Sequence, residues 1–124
     1  MSSSSMGRVI RPADIEPVEV QPGLLVRALA MVDGCSVAVV EGPPGNRFEA
    51  VHPEWELVYV LQGQADYDDG RSVKAGEAVI NLPNAPHPFQ TVGDEAMVII
   101  EIKSPAAPAY MALLVSDRAS PKEA

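Results

Sequence analysis

The sequence predicts an all-β domain, a sandwich or barrel of short strands, and three observations point there. About eight to ten short β-branched or alternating segments follow one another, with turn signals at roughly 8–12-residue spacing. Asp33-Gly34 and Asp69-Gly70 stand between such segments as tight hairpin signals. Finally, 12 prolines and 9 glycines punctuate a chain of 124 residues and oppose long helices.

The elements follow in order. Leu24 to Ala30 is an apolar run bounded by Pro22-Gly23 and Asp33-Gly34, and Cys35 to Glu41 answers it as a β-branched run. Gly42-Pro43-Pro44-Gly45 stops regular structure. Arg47 to His52 alternates, with Phe48, Ala50 and His52 on one face, until Pro53 breaks it. Glu56 to Leu61 is the next strand. Gln64 to Tyr67 and Arg71 to Val73 flank Asp69-Gly70, Ala78 to Leu82 follows, and Phe89 to Val92 and Ala96 to Ile102 are joined across Gly93-Asp94. Ala109 to Val115 reads as a short helix or a closing strand. The expected organisation is an N-terminal tail over 1–7, a barrel over 8–104, and an extension over 105–124 that is partly packed and then disordered.

A formal net charge of −8 repels phosphate backbones and anionic lipid, so nucleic acid and membrane surfaces are excluded as partners. Cys35 is the only cysteine, which rules out an intrachain disulfide and a cysteine-rich zinc site and fits a cytoplasmic protein. No apolar run approaches the roughly 20 residues that span a bilayer, and Met1 to Arg8 lacks the pattern of a secretory signal.

The chain has two histidines, so their settings carry information. His52 ends one strand and Glu56 begins the next, and the turn between them folds both side chains to one rim. His87 lies between Pro86 and Pro88, whose rings pre-set the backbone. Two imidazoles and one carboxylate suit a first-row divalent ion with open positions for water or substrate. A loop histidine with a hydrogen-bonding role is the alternative reading.

At these residues the sequence resembles a cupin. Ala50-Val51-His52-Pro53-Glu54-Trp55-Glu56 through Gly63 matches the first motif of that family, and Gly76 through Pro83 to His87 matches the second. The resemblance implies a cupin-type double-stranded β-helix, or jelly-roll, barrel. It also implies one divalent metal ion (Mn, Fe, Ni or Zn) held by His52, Glu56 and His87. The first histidine of the motif is replaced by Ala50, which cannot bind metal, so three of four ligands carry over. The stretches His52-Pro53 to Gly63 and Leu82 to His87 are similar to small single-domain cupins that open unsaturated uronate sugars.

Other residues have expected roles. Glu54 is a candidate general base at the pocket rim, or else a solvated turn residue. Cys35 is expected to face the core as a small hydrophobe. Tyr59, three residues past Glu56, points to the opposite face. Trp55 is a candidate cover for the mouth. Arg47 and Arg71 are candidate carboxylate binders or ordinary surface charge, and Asp66, Asp68 and Asp69 mark a hairpin tip. The expected activity is metal-dependent isomerase or lyase chemistry on a small oxygen-rich molecule such as a sugar acid. The alternatives are a non-catalytic small-molecule binding module and a non-haem iron dioxygenase. A homodimer is expected, through Leu24–Leu29 and Ala109–Val115.

Overall fold

A computed structural model describes residues 7–108, and the expected closing element at Ala109–Val115 lies outside them. After a 3-10 turn at Pro12–Asp14, ten strands follow: β1 (Val18–Gln21), β2 (Leu24–Val32), β3 (Cys35–Gly42), β4 (Arg47–Phe48), β5 (Trp55–Gln62), β6 (Gln64–Tyr67), β7 (Ser72–Lys74), β8 (Ala78–Asn81), β9 (Phe89–Val92) and β10 (Met97–Ser104). Six form one sheet in the order β1-β2-β3-β10-β5-β8, and four form the other as β4-β9-β6-β7. The strand pairs are antiparallel, which is the all-β jelly-roll expected.

The core forms where the inward residues of the two sheets meet. Val26, Ala28, Ala38, Val40, Val58, Val60 and Ile99 come from the large sheet, and Ala65, Tyr67 and Val73 from the small one. Phe48 is fully buried and lies against Phe89, ring centroids 5.4 Å apart. With so few aromatics, packing rests on small and β-branched side chains.

The hairpin signals hold. Asp33 and Gly34 both take positive φ (49° and 76°) between paired Val32 and Cys35. That turn also sets strand parity and corrects one expectation. Ser36, Ala38 and Val40 face inward, so Cys35 lies on the outer face, half-buried, rather than in the core. The predicted Arg47–His52 strand shortens to Arg47–Phe48, and Glu49 to Pro53 run as a loop. Val18–Gln21 is a strand that the sequence reading passed over.

Leu24–Leu29 is half-buried or buried between β1 and β3, so it offers less open apolar surface than expected for a subunit contact. More exposed are Trp55, Tyr59 and Leu61 on the outer face of β5, with Ile80 and Leu82 beside them. Among the described residues no helix is long and apolar enough to cross a membrane.

Gly63, which closes β5, is required by geometry. It sits at φ +83°, and a Cβ there would meet the Ala96 carbonyl oxygen and Met97 Cα at 2.8 Å. Gly63→Ala is expected to destabilise the fold by at least roughly 2 kcal/mol, combining left-handed backbone strain with a backbone clash. Gly70, at φ +90° with open space around it, carries the strain alone. Thermal melts should therefore show a larger loss for Gly63→Ala than for Gly70→Ala, and equal losses would contradict the clash.

A candidate metal centre

Two loops and three strands build the site at one end of the barrel. The Glu49–Pro53 and Leu82–Pro88 loops are tied to each other by backbone bonds: the Asn84 N–H donates to the His52 carbonyl (2.8 Å), and the His87 N–H to that of Ala50 (2.7 Å). These bonds fix both histidine backbones. Glu56 comes from β5 on the inward face, in register with Asn81 of β8 and Lys103 of β10.

The imidazoles are oriented from behind. His52 Nδ1 lies 2.9 Å from the Glu54 carbonyl oxygen, and His87 Nδ1 lies 2.9 Å from that of Ala85. A carbonyl only accepts, so each Nδ1 carries the proton and each Nε2 presents its lone pair to the interior. Those Nε2 atoms converge on Glu56 Oε1, at 3.7 Å from His52 and 3.4 Å from His87. The rings meet edge to face, their centroids 4.8 Å apart.

The three residues offer ligand atoms that lie within 4.8 Å of one another. Atoms bound about 2.1 Å from one ion at tetrahedral or octahedral angles stand roughly 3.0–3.4 Å apart, so a small contraction suffices. His52 Nε2 is buried and, among the described residues, has no hydrogen-bond partner. Leaving such an atom unsatisfied costs about 1–3 kcal/mol. An ion on the three atoms would remove that penalty, and the donor set suits a borderline divalent metal. Backbone carbonyls behind both imidazoles are the outer support that metal-ligating histidines usually have.

Glu56 is almost wholly buried, and Asn81 Nδ2 donates to its Oε1 at 3.0 Å. Burial alone would raise its pKa. Hydrogen bonds involving His87, Glu101 and Asn81, with the charge of Lys103, outweigh that and hold it at about 2. For His87, burial pushes the pKa down, but the bond to Glu56 and the one to the Ala85 carbonyl prevail and raise it. Glu56 therefore favours protonation of His87, and a metal ion would compete with that proton.

Four neighbours escaped the sequence reading or were misread. Lys103 Nζ stands 3.9 Å from both Glu56 Oε2 and Glu101 Oε1, and both of these β10 side chains are 12 % exposed. Period-2 alternation from buried Met97 and Ile99 puts Glu101 and Lys103 on the same inner face, which was the available signal. Asn81 was likewise unassigned. Glu54 is not a solvated turn residue: it is 5 % exposed, with Oε1 3.5 Å from His52 Nδ1.

The remaining candidates fall outside the centre. Arg47 forms a bidentate pair with Asp68 on the surface, and Arg71 pairs with Asp69 and lies over the Tyr67 ring. Tyr59 and Trp55 are partly exposed on the outer face of β5, so neither covers the site. Ala50 adds its carbonyl to the loop bonding and no side-chain ligand.

Comparison with known proteins agrees with the fold. The chain is similar to KdgF from a Halomonas species, with a TM-score of 0.71 and 17 % identity over 84 % of this chain and 98 % of that one. It is also similar to a predicted oxalate decarboxylase from Thermotoga maritima (TM-score 0.68, 18 % identity, 77 % and 97 % covered). A third likeness is the polyketide cyclase RemF from Streptomyces resistomycificus (TM-score 0.67, 20 % identity, 79 % of each chain). At these identities the likeness is one of fold. Among curated proteins there is no significant match. The sequence pattern of the family described as "Cupin domain" matches residues 38–103, more than half of the sequence. The chain belongs to the cupin family.

Proposed function

We propose that His52, Glu56 and His87 hold one divalent ion (manganese, iron, nickel or zinc) and that the protein is a metal-dependent isomerase or lyase acting on a small sugar acid. The observation that carries this reading is the shared orientation of the two imidazoles. Each is pinned through Nδ1 to a backbone carbonyl, and each points a bare Nε2 at the same carboxylate oxygen. When bound, such an ion supplies Lewis-acid polarisation of a carbonyl or hydroxyl oxygen.

The chain's own residues orient and charge the site. Glu56 stays ionised beside the substrate position, held so by Asn81 and by the bonds described above. Glu54, offered by the sequence as a general base, lies behind His52 at its Nδ1 side. It serves there as a positioning residue that favours the Nδ1–H form of the ring. Buried walls of Val58, Val60 and Ile99 below the centre exclude water from that side.

The resemblance to small cupins that open unsaturated uronates sets the first substrate to try. Neighbours named as a predicted oxalate decarboxylase and a polyketide cyclase lend support to oxygen-rich ligands in a barrel of this shape. Assembly as a cytoplasmic homodimer belongs to the same reading, and the exposed Tyr59, Leu61 and Ile80 support it.

A second reading, a binding module with a degenerate site, is favoured by Ala50 in place of the fourth ligand. The test is to load the protein with each of the four metals and incubate it with an unsaturated uronate monosaccharide. Ultraviolet absorbance of the conjugated acid should fall with at least one metal and hold steady after chelation. Steady absorbance with all four would overturn this substrate assignment and favour the binding module.

A further inference from the structure

We infer that the outer face of β10, β5 and β8 is a two-fold contact with a second copy of this chain, and that this contact tightens metal binding at the centre on the other side of the same strands. The inference rests on the metal and homodimer readings above and deepens both. Register sets the face out in rows: Ile102 pairs with Leu57 and Leu57 with Ile80, and Ile100 pairs with Tyr59 and Tyr59 with Ala78. These side chains alternate with the buried Ile99, Val58 and Asn81, so they point outward. None is charged, in a chain with 17 acidic and 9 basic residues.

Trp55, Tyr59, Leu61, Ile80 and Leu82 are 40–64 % exposed, which leaves on the order of 500 Å² of apolar surface bare. The largest patch on a typical monomer is roughly 300–600 Å², and the half-buried Leu57, Ile100 and Ile102 bring this one toward the ~800 Å² that each partner gives a standard interface. Two observations make the occupant a second copy. A chain of net charge −8 repels its own kind except where an uncharged face meets its equal, and such a face offers a basic partner no charge to recognise. The chain's own C-terminal segment also starts elsewhere. The Ala107 N–H donates to Oγ of Ser36 on the inner face of β3 (3.1 Å), so residues 109–124 set out from the opposite side of the sheet. A two-fold axis lets the rows meet themselves.

The rows lie directly behind the centre. One residue along, on the inner face, Lys103 pairs with Glu56 and Glu56 with Asn81. β8 is an edge strand of four residues, and among the described residues it pairs with β5 alone. It carries Asn81, which donates to Glu56, and it runs into the loop that presents His87. Ile80 and Leu82, on either side of Asn81, are exposed, so the outer side of this edge is bare. A second copy seated on them clamps β8 against β5 and fixes the start of the His87 loop. Ordering done by the contact no longer opposes metal binding. Linkage makes the effect reciprocal, so metal tightens the dimer.

The experiment is sedimentation velocity of the full chain from roughly 1 to 100 µM, in chelator and with metal, beside calorimetric titration of Mn²⁺ and of Zn²⁺. Wild type is compared with Ile80→Glu and Tyr59→Glu, and with Val20→Glu, which charges an exposed residue on β1 away from the face. Wild type and Val20→Glu should sediment as dimers. Ile80→Glu and Tyr59→Glu should be monomers with an unchanged circular dichroism spectrum, and should bind the ion about fivefold or more weakly. The wild-type dimer should dissociate at lower concentration with metal than in chelator. Wild type that stays monomeric at the highest concentration, or folded face variants that remain dimers, overturns the contact. Monomeric variants that bind the ion as tightly as wild type overturn the coupling. A wild-type dimer that takes up neither ion overturns the coupling together with the metal reading and leaves the contact standing.

Discussion

His87→Ala is expected to lower affinity for divalent metal by about 100-fold or more while leaving the barrel folded. The loss of a group that merely supports a metal ligand costs 10- to 100-fold, so the loss of a ligand should reach or exceed that. The centre has no reserve, because Ala50 stands where the family motif has a fourth donor. The fold should survive because the link from His87 to the opposite loop is its backbone N–H to the Ala50 carbonyl, which alanine retains. Far-ultraviolet circular dichroism would then match wild type while calorimetry shows weak or absent metal binding. A variant that unfolds would show that the imidazole supports the loop itself.

Glu56→Gln should empty the centre and also weaken the metal-free fold, by roughly 2–4 kcal/mol. Removing one partner of a buried ion pair costs about 3–5 kcal/mol, and Lys103 retains Glu101, which moderates the loss. For a chain of this size that corresponds to a melting temperature lower by ~10 °C or more.

The pH dependence follows from the two shifted groups. The pKa of Glu56 is lowered from 4.5 to about 2, so its contribution is present above pH 4.5 and lost as pH falls toward 2. The pKa of His87 is raised from 6.5, so its contribution is present below pH 6.5 and lost as pH rises through the raised value. The metal-free wild type should therefore gain most from this pair between pH 4.5 and 6.5. Glu56→Gln should flatten that maximum in melts recorded in chelator. A metal on His87 would compete with that proton, so metal affinity should fall as pH falls.

Local signals carried much of the fold. Asp33-Gly34 and Asp69-Gly70 mark hairpins because a tight turn needs residues that tolerate positive φ, a constraint legible in two letters. Strand parity is harder to read. Cys35 was assigned to the core on the apolar character of its neighbours, but the turn puts Ser36 inward instead, and one residue of phase reverses every side chain on the strand. Phe48 ends β4 because the chain beyond it bonds to the Leu82–Pro88 loop rather than to a strand.

The same distinction runs through the site. His52 and Glu56 are joined by a local turn, whereas His87 was drawn in by the resemblance to the family motif and reaches them through the backbone bonds between the two loops. Lys103, Glu101 and Asn81 reach the centre only through cross-strand register, Glu56 opposite Asn81 on one side and Lys103 on the other. No local pattern encodes that pairing. Glu54 looked like a solvated turn residue because it neighbours Pro53 and Trp55, and its burial depends on how the two loops are tied together.

The central claim is that three side chains form one metal centre, and the most direct test is the metal content of purified protein by mass spectrometry, after incubation with each of the four metals. Wild type should carry close to one equivalent of at least one of them, and both His52→Ala and His87→Ala should lose it. Wild type that remains empty with all four, or variants that keep a full equivalent, would contradict the account.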